Sequence, residues 1–220
     1  NQKWVFSPAG GGVIVFDDKN TIDNTSDDRS MKLLAGAGSG NLPDNNVQCI
    51  VNDKKGTIWI GTNNGIGIIN CPDRVIDRTC EAEIRVVQYD KFAGELFAGE
   101  QVNAIAVDGA NRKWVGTGNG VWLISEDANK LIYRFTKDNS PLPSNVVRSI
   151  KVDGSTGDVY FGTDKGLVSF KSTATDGGKS NNNVVIFLNP VTNNYTGTIA
   201  IKGLVNNADV RITDISGQLI

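Results

Sequence analysis

The sequence predicts an all-β fold made of small sheets repeated along the chain. Three observations carry that prediction. A four-residue phrase (aromatic, hydrophobic, Gly, Thr) occurs as Trp59-Ile60-Gly61-Thr62, Trp114-Val115-Gly116-Thr117 and Tyr160-Phe161-Gly162-Thr163, with an altered copy at Trp4-Val5-Phe6-Ser7. The aromatics stand at 4, 59, 114 and 160, so the copies recur at steps of 55, 55 and 46 residues, the mark of an array of one supersecondary unit. Around each copy lie short runs rich in Val, Ile and aromatics, bounded by Gly, Asn, Asp and Pro, and no window carries a sustained helical period with caps.

Each unit reads as four strands. The first is Val-x-small-Ile-x-x-Asp: Val47-Gln48-Cys49-Ile50-Val51-Asn52-Asp53, Val102-Asn103-Ala104-Ile105-Ala106-Val107-Asp108 and Val147-Arg148-Ser149-Ile150-Lys151-Val152-Asp153. A turn follows, with the Asp as side-chain acceptor and Gly56, Asn111 or Gly157 free to take positive φ. The aromatic phrase is the second strand. A hairpin glycine (Gly65, Gly120, Gly166) opens the third, residues 66–69, 121–124 and 167–170. The remaining strand is expected upstream of each unit, at 31–34, 85–89 and 131–135. Four short strands joined by tight turns make a β-propeller blade. A blade cannot bury both faces alone, so the Trp column is expected to pack between blades. Three full units and one partial unit are fewer than the roughly four or more of a closed ring. The chain also begins on a Trp strand, so these 220 residues read as part of a larger protein.

Composition excludes several classes. With 39% hydrophobic and 21% charged residues the chain is an ordinary globular one. A net charge of −2 without a basic cluster argues against nucleic acid. No apolar stretch approaches the roughly 20 residues of a membrane span. Histidine is absent, which removes His acid–base chemistry and the Ser-His and Cys-His nucleophile systems. Asp17-Asp18 and Asp27-Asp28 lie in a long polar connection and read as a solvated loop, with no separation legible for a glycosidase pair. Gly116-Thr117-Gly118-Asn119-Gly120 has a phosphate loop's composition, but a strand follows where that loop needs a helix N-terminus. The Asp- and Asn-rich loops do not space ligands as calcium motifs do. No catalytic residue, metal site or cofactor is expected.

Cys49 shares a small-residue column with Ala104 and Ser149 and reads as a packed, inert thiol. Cys71 and Cys80 bracket residues 72–79, an insertion the other units lack. A disulfide closing that loop, in an oxidising compartment, is preferred over two solvent-facing thiols. Zinc is disfavoured, because no His is available and Cys49 belongs to a strand elsewhere. Trp122 aligns with Gly67 and Val168, so the repeat does not require a ring there. It is the candidate anchor for a sugar or protein partner; packing against a neighbouring insertion is the plainer reading.

Residues 172–183 are polar and aperiodic, a linker between the repeats of 1–171 and a different segment, 184–220. That segment carries Val184-Val185-Ile186-Phe187, an alternating Ile199/Ile201 and Val210/Ile212 pattern, and a turn at Asp214-Ile215-Ser216-Gly217. It is too short to enclose a core alone and reads as part of a β-sandwich. Either more chain follows it or it leans on the blades.

Val-x-x-Ile-x-x-Asp followed by Trp-x-Gly-Thr-x-x-Gly, with Leu42-Pro43-Asp44-Asn45 and Leu142-Pro143-Ser144-Asn145 as openings, resembles the two-component regulator propeller repeat over roughly residues 1–171. Phe187-Leu188-Asn189-Pro190-Val191 with Val210-Arg211-Ile212-Thr213-Asp214-Ile215-Ser216-Gly217-Gln218-Leu219-Ile220 resembles the first half of a type IX secretion C-terminal sorting domain, with Leu188 where a Pro usually stands. A regulator propeller joined to such a tail is similar to the PorZ-like proteins of the type IX secretion attachment complex. The resemblance implies a non-enzymatic scaffold at the cell surface and outer membrane. Its implied partners are an outer-membrane barrel, a sortase-like protease and lipopolysaccharide or another glycan, with no nucleic acid and no membrane span of its own. The chain is then expected to end soon after Ile220. The alternative implied by the repeat alone is a periplasmic oligosaccharide-sensing propeller of a hybrid two-component regulator, followed by a membrane span and kinase. An enzyme exported as type IX cargo is the weakest of the three.

Overall fold

The computed structural model describes all residues except 1, 22, 90–91, 179, 182–183, 188–189, 191, 193, 197–198, 206–207 and 220. Leu188, Asn189 and Val191 of the sorting-domain-like phrase therefore lie outside the described residues. The chain is all-β, and four of its sheets are propeller blades. β1 (Gln2–Ser7), β2 (Gly12–Asp17) and β3 (Arg29–Leu33) form the first blade. β4 (Val47–Asn52), β5 (Ile58–Thr62) and β6 (Gly65–Ile69) form the second. The third has four strands, β9 (Val102–Val107), β10 (Lys113–Thr117), β11 (Gly120–Ile124) and β12 (Leu131–Phe135), in antiparallel order. β13 (Val147–Val152), β14 (Asp158–Thr163) and β15 (Gly166–Lys171) form the fourth.

The fourth strand departs from expectation. The stretches at 31–34 and 131–135, expected to complete the units they precede, join the blade before instead: β3 pairs with β2 of the first blade and β12 with β11 of the third. Residues 85–89 line the edge of neither the second nor the third blade. Instead Glu83 exchanges backbone hydrogen bonds with Ile68, and Ile66 donates to the Leu96 carbonyl. Between these points the chain leaves as a hairpin, β7 (Val86–Tyr89) against β8 (Phe92–Glu95). The extra strand β8 gives β7 a local partner, which removes it from the blade edge.

Period-two alternation sends successive residues of each central strand to opposite neighbours. In β5, Ile58 and Ile60 enter a core with Val13, Val15 and Leu33 of the first blade. Trp59 points the other way and packs with Val102, Ile105 and Val115 of the third. Trp114 repeats the step, packing with Val147, Val159 and Phe161 of the fourth blade. The Trp column thus fills the boundary with the following blade, and Tyr160, in the fourth blade, is exposed. The turns after the first strands behave as their residues require. Gly56, Asn111 and Gly157 all carry positive φ, at 84°, 58° and 77°.

Beyond the blades, β16 (Val185–Phe187) pairs with β17 (Ala200–Lys202). Val185, Ile186, Phe187, Ile199, Val210 and Ile212 are exposed. Among the described residues they belong to none of the buried hydrophobic clusters.

Candidate functional site

The chemistry-bearing residues concentrate at the blade boundaries. Asp53 closes the β4–β5 turn by accepting the amides of Lys55 (2.9 Å) and Thr57 (3.0 Å) on one oxygen. Its other oxygen accepts the Trp59 indole N–H at 3.2 Å and the Lys113 ammonium at 2.8 Å. Asp108 repeats this, taking the amides of Ala110 and Arg112, the Trp114 indole at 3.3 Å and the Arg112 guanidinium at 2.8 Å. Asp153 keeps only the turn, because Tyr160 offers no indole to bind. Asp53 and Asp108 therefore each fix both a turn and the ring beside it, and Asp153 the turn alone.

Lys113 comes from β10, enters the boundary with the second blade and is fully buried. Its three ammonium protons find Asp53, the Asn111 carbonyl (2.8 Å) and the Glu126 carbonyl (2.9 Å). The charge also lies 4.5 Å from the centre of the Trp59 ring, a favourable cation–π position. Burial raises the cost of the Asp53 charge, but Lys113 and the turn amides outweigh it and hold the carboxyl below its ordinary value. Burial also draws Lys113 below its ordinary value, against the pull of Asp53. The signature Thr residues brace the next turn, with Thr62 and Thr163 donating to the carbonyls of Gly65 and Gly166 at 2.9 and 2.8 Å.

The signature glycines mark close approach. A Cβ on Gly61 would sit 2.6 Å from Cys49 Sγ and 2.7 Å from Val102 Cγ1. One on Gly116 would sit 2.8 Å from Val147 Cγ1. Cys49 is closed in by this contact, and burial pushes its thiol up to about 12. A further tie was hidden in the sequence. The carbonyls of Asn45, Glu100 and Asn145, each two residues before a first strand, accept the amides of Gly12, Gly65 and Gly120 of the preceding blade at 2.9, 3.0 and 2.8 Å.

Cys71 and Cys80 are bonded, with their Cα atoms 5.9 Å apart. The loop they close carries fully buried Val75 into the core between the first two blades. Trp122 is half-buried. Its ring meets Phe97 in a T-shaped contact at 5.5 Å, and the Arg134 guanidinium lies 4.3 Å above it. Phe97 follows the inserted hairpin, so the insertion supplies the ring's packing partner. Asp17 also departs from the solvated-loop reading. It is buried, and the Lys19 backbone amide and side chain hold its carboxyl at about 2.

Two grooves open between neighbouring blades at the end bearing the aspartate turns. One, about 550 Å³, lies between the first and second blades and includes Gln2, Trp4, Asn52, Lys55 and Asn70. The other, about 470 Å³, lies between the second and third and includes Lys55, Asn70, Arg85, Glu126 and Asp127. In the latter, Lys55 pairs with Glu126 at 2.5 Å and Arg85 with Glu83 at 3.0 Å, so both of these cations are already engaged. Among the described residues no group of three His, Cys, Asp or Glu is placed to hold a metal, and no helix is long and apolar enough to cross a membrane.

A family model described as two component regulator propeller matches residues 41–64, one repeat of this array. No curated protein matches the sequence. Among solved structures, the chain is similar to PorZ of Porphyromonas gingivalis, described as an essential bacterial surface component of the type-IX secretion system. Identity is 31% and the TM-score 0.68, over 94% of this chain and 29% of that one. It is also similar to the extracellular domain assigned to the hybrid two component system BT3049 of B. thetaiotaomicron, at 26% identity and TM-score 0.55, over 78% of this chain and 19% of that one. The extracellular domain assigned to BT4673 of the same organism shares the fold, at 17% identity and TM-score 0.57, over 86% of this chain and 26% of that one. The chain spans less than a third of the length of each.

Proposed function

We propose that the chain is part of a non-enzymatic cell-surface scaffold of a type IX secretion attachment complex. In this reading the blades present rigid surfaces to an outer-membrane barrel and a sortase-like protease, with lipopolysaccharide or another glycan as a further ligand. Residues 184–220 belong to a retained sorting-type module. The observation that carries the reading is the extent of the likeness to PorZ: residues 1–171 are too few to make up 94% of the chain, so it reaches into the segment beyond the blades. The dense ties between blades suit a scaffold, since they hold neighbouring surfaces in fixed relation.

Crosslinking in intact source cells, followed by capture of the full-length protein, tests this. The barrel and the sortase-like protease are expected to come with it. Their absence, with a membrane kinase on the same polypeptide, would contradict the reading.

The second reading is a periplasmic oligosaccharide-sensing propeller. It is favoured by the 26% identity to the BT3049 extracellular domain, over a share of the chain that needs no part of the tail.

A further inference from the structure

Residues 172–176 have the composition of a linker, yet they do not leave the blades. After β15 the chain turns back across the aspartate turns of three successive blades. The Ser172 amide donates to the Gly157 carbonyl at 2.9 Å and the Asp176 amide to the Gly154 carbonyl at 2.6 Å, both in the fourth blade. Arg112 of the third blade donates to Ser172 Oγ at 3.0 Å and Thr173 Oγ1 at 3.4 Å. Lys54 of the second blade reaches Asp176 at 2.6 Å. Ser172 and Ala174 are buried in the process.

The residue after each turn aspartate is Lys54, Gly109 or Gly154. Neither Gly109 nor Gly154 has positive φ, so the turn does not demand glycine at these places. Space does. A Cβ on Gly109 would overlap the Thr175 carbonyl, and one on Gly154 would overlap the Asp176 carboxylate. The glycines fit the passage of this segment, and the lysine supplies its ionic end. The exposed Lys54–Asp176 pair adds little by itself. The close backbone approach at Gly109 does more, because the Thr175 carbonyl cannot keep its place if that glycine gains a side chain; at Gly154 the Asp176 carboxylate would have to turn away.

We propose that residues 172–176 are a strap that closes the aspartate-turn end of the second to fourth blades and fixes the point from which the C-terminal segment departs. The tether to the following module then starts after Asp176 rather than at the end of β15. The inference holds whether the protein is a scaffold or a sensor.

Hydrogen exchange on the full-length protein tests it. In the wild type the amides of Ser172 and Asp176 are expected to be protected. In the double variant Gly109→Ala/Gly154→Ala they should exchange about tenfold faster or more, while β9 to β11 stay protected. Free exchange at these amides in the wild type, or unchanged protection in the variant, would overturn the proposal. If the double variant unfolds the blades, Ser172→Pro removes the donor to Gly157 from the strap's side. Asp176 should then lose protection with the blades intact, and retained protection would again overturn the strap.

Discussion

Lys113 and Asp53 form a buried ion pair across the boundary between the second and third blades, Nζ to Oδ2 2.8 Å, with the side chains 0% and 4% exposed. Sixty residues separate them in sequence, yet they join neighbouring turns of one array. A buried pair of this kind is costly to break from one side, because the partner keeps its charge without compensation.

Lys113→Met should therefore destabilise the protein by about 3–5 kcal/mol. Chemical denaturation of wild type and variant measures this. A loss within the noise of a surface substitution would mean that water reaches Asp53.

The same pair sets an acid limit. The carboxyl of Asp53 is held below its ordinary value of 3.8, so the unfolded chain binds this proton more readily. The stabilisation is fully present above 3.8 and is lost as pH falls through the folded value. Asp17, held at about 2, adds to the loss with the same sign. Stability measured by denaturant titration should fall as pH drops below 3.8, and Asp53→Asn should flatten that slope.

The signature glycines should not be equivalent. Gly61→Ala and Gly116→Ala press on Val102 and Val147 of the next blade, and overpacking of this kind costs about 1–3 kcal/mol. Gly162→Ala meets Ser149 Oγ, which can rotate away, so its unfolding midpoint should move least. Equal shifts at all three positions would argue against contact with the next blade as the cause.

Opening the Cys71–Cys80 bond should cost roughly 2–3 kcal/mol from loop entropy, and Val75 should lose its seat between the first two blades. Thermal unfolding with and without reductant reads this directly. Cys49, with its thiol pushed up to about 12, should resist alkylation at neutral pH until the protein unfolds.

Much of the fold was legible because its signals are local. The aromatic phrases, the turn aspartates and the positive-φ residues Gly56, Asn111 and Gly157 each act within a few residues of themselves. What was missed depends on the neighbouring blade. Lys113 occupies a column that is Ile58 and Val159 in the sister repeats, and nothing nearby announces a carboxylate one blade back. The carbonyls of Asn45, Glu100 and Asn145 make the same bond from different side chains, so residue identity carries little of it. Gly109 and Gly154 look like ordinary turn glycines until their φ shows that they make room for residues 172–176. Trp122 stood out as an exception to the repeat, and only the inserted hairpin explains its packing against Phe97.

The most direct test of the scaffold reading is peptide mapping of the native full-length protein from its source cells, carried through to its true C-terminus. The account predicts a chain that retains the C-terminal module and ends soon after it, with no apolar span. Kinase peptides on the same polypeptide, beyond an apolar membrane-spanning segment, would contradict it and make the protein a sensor.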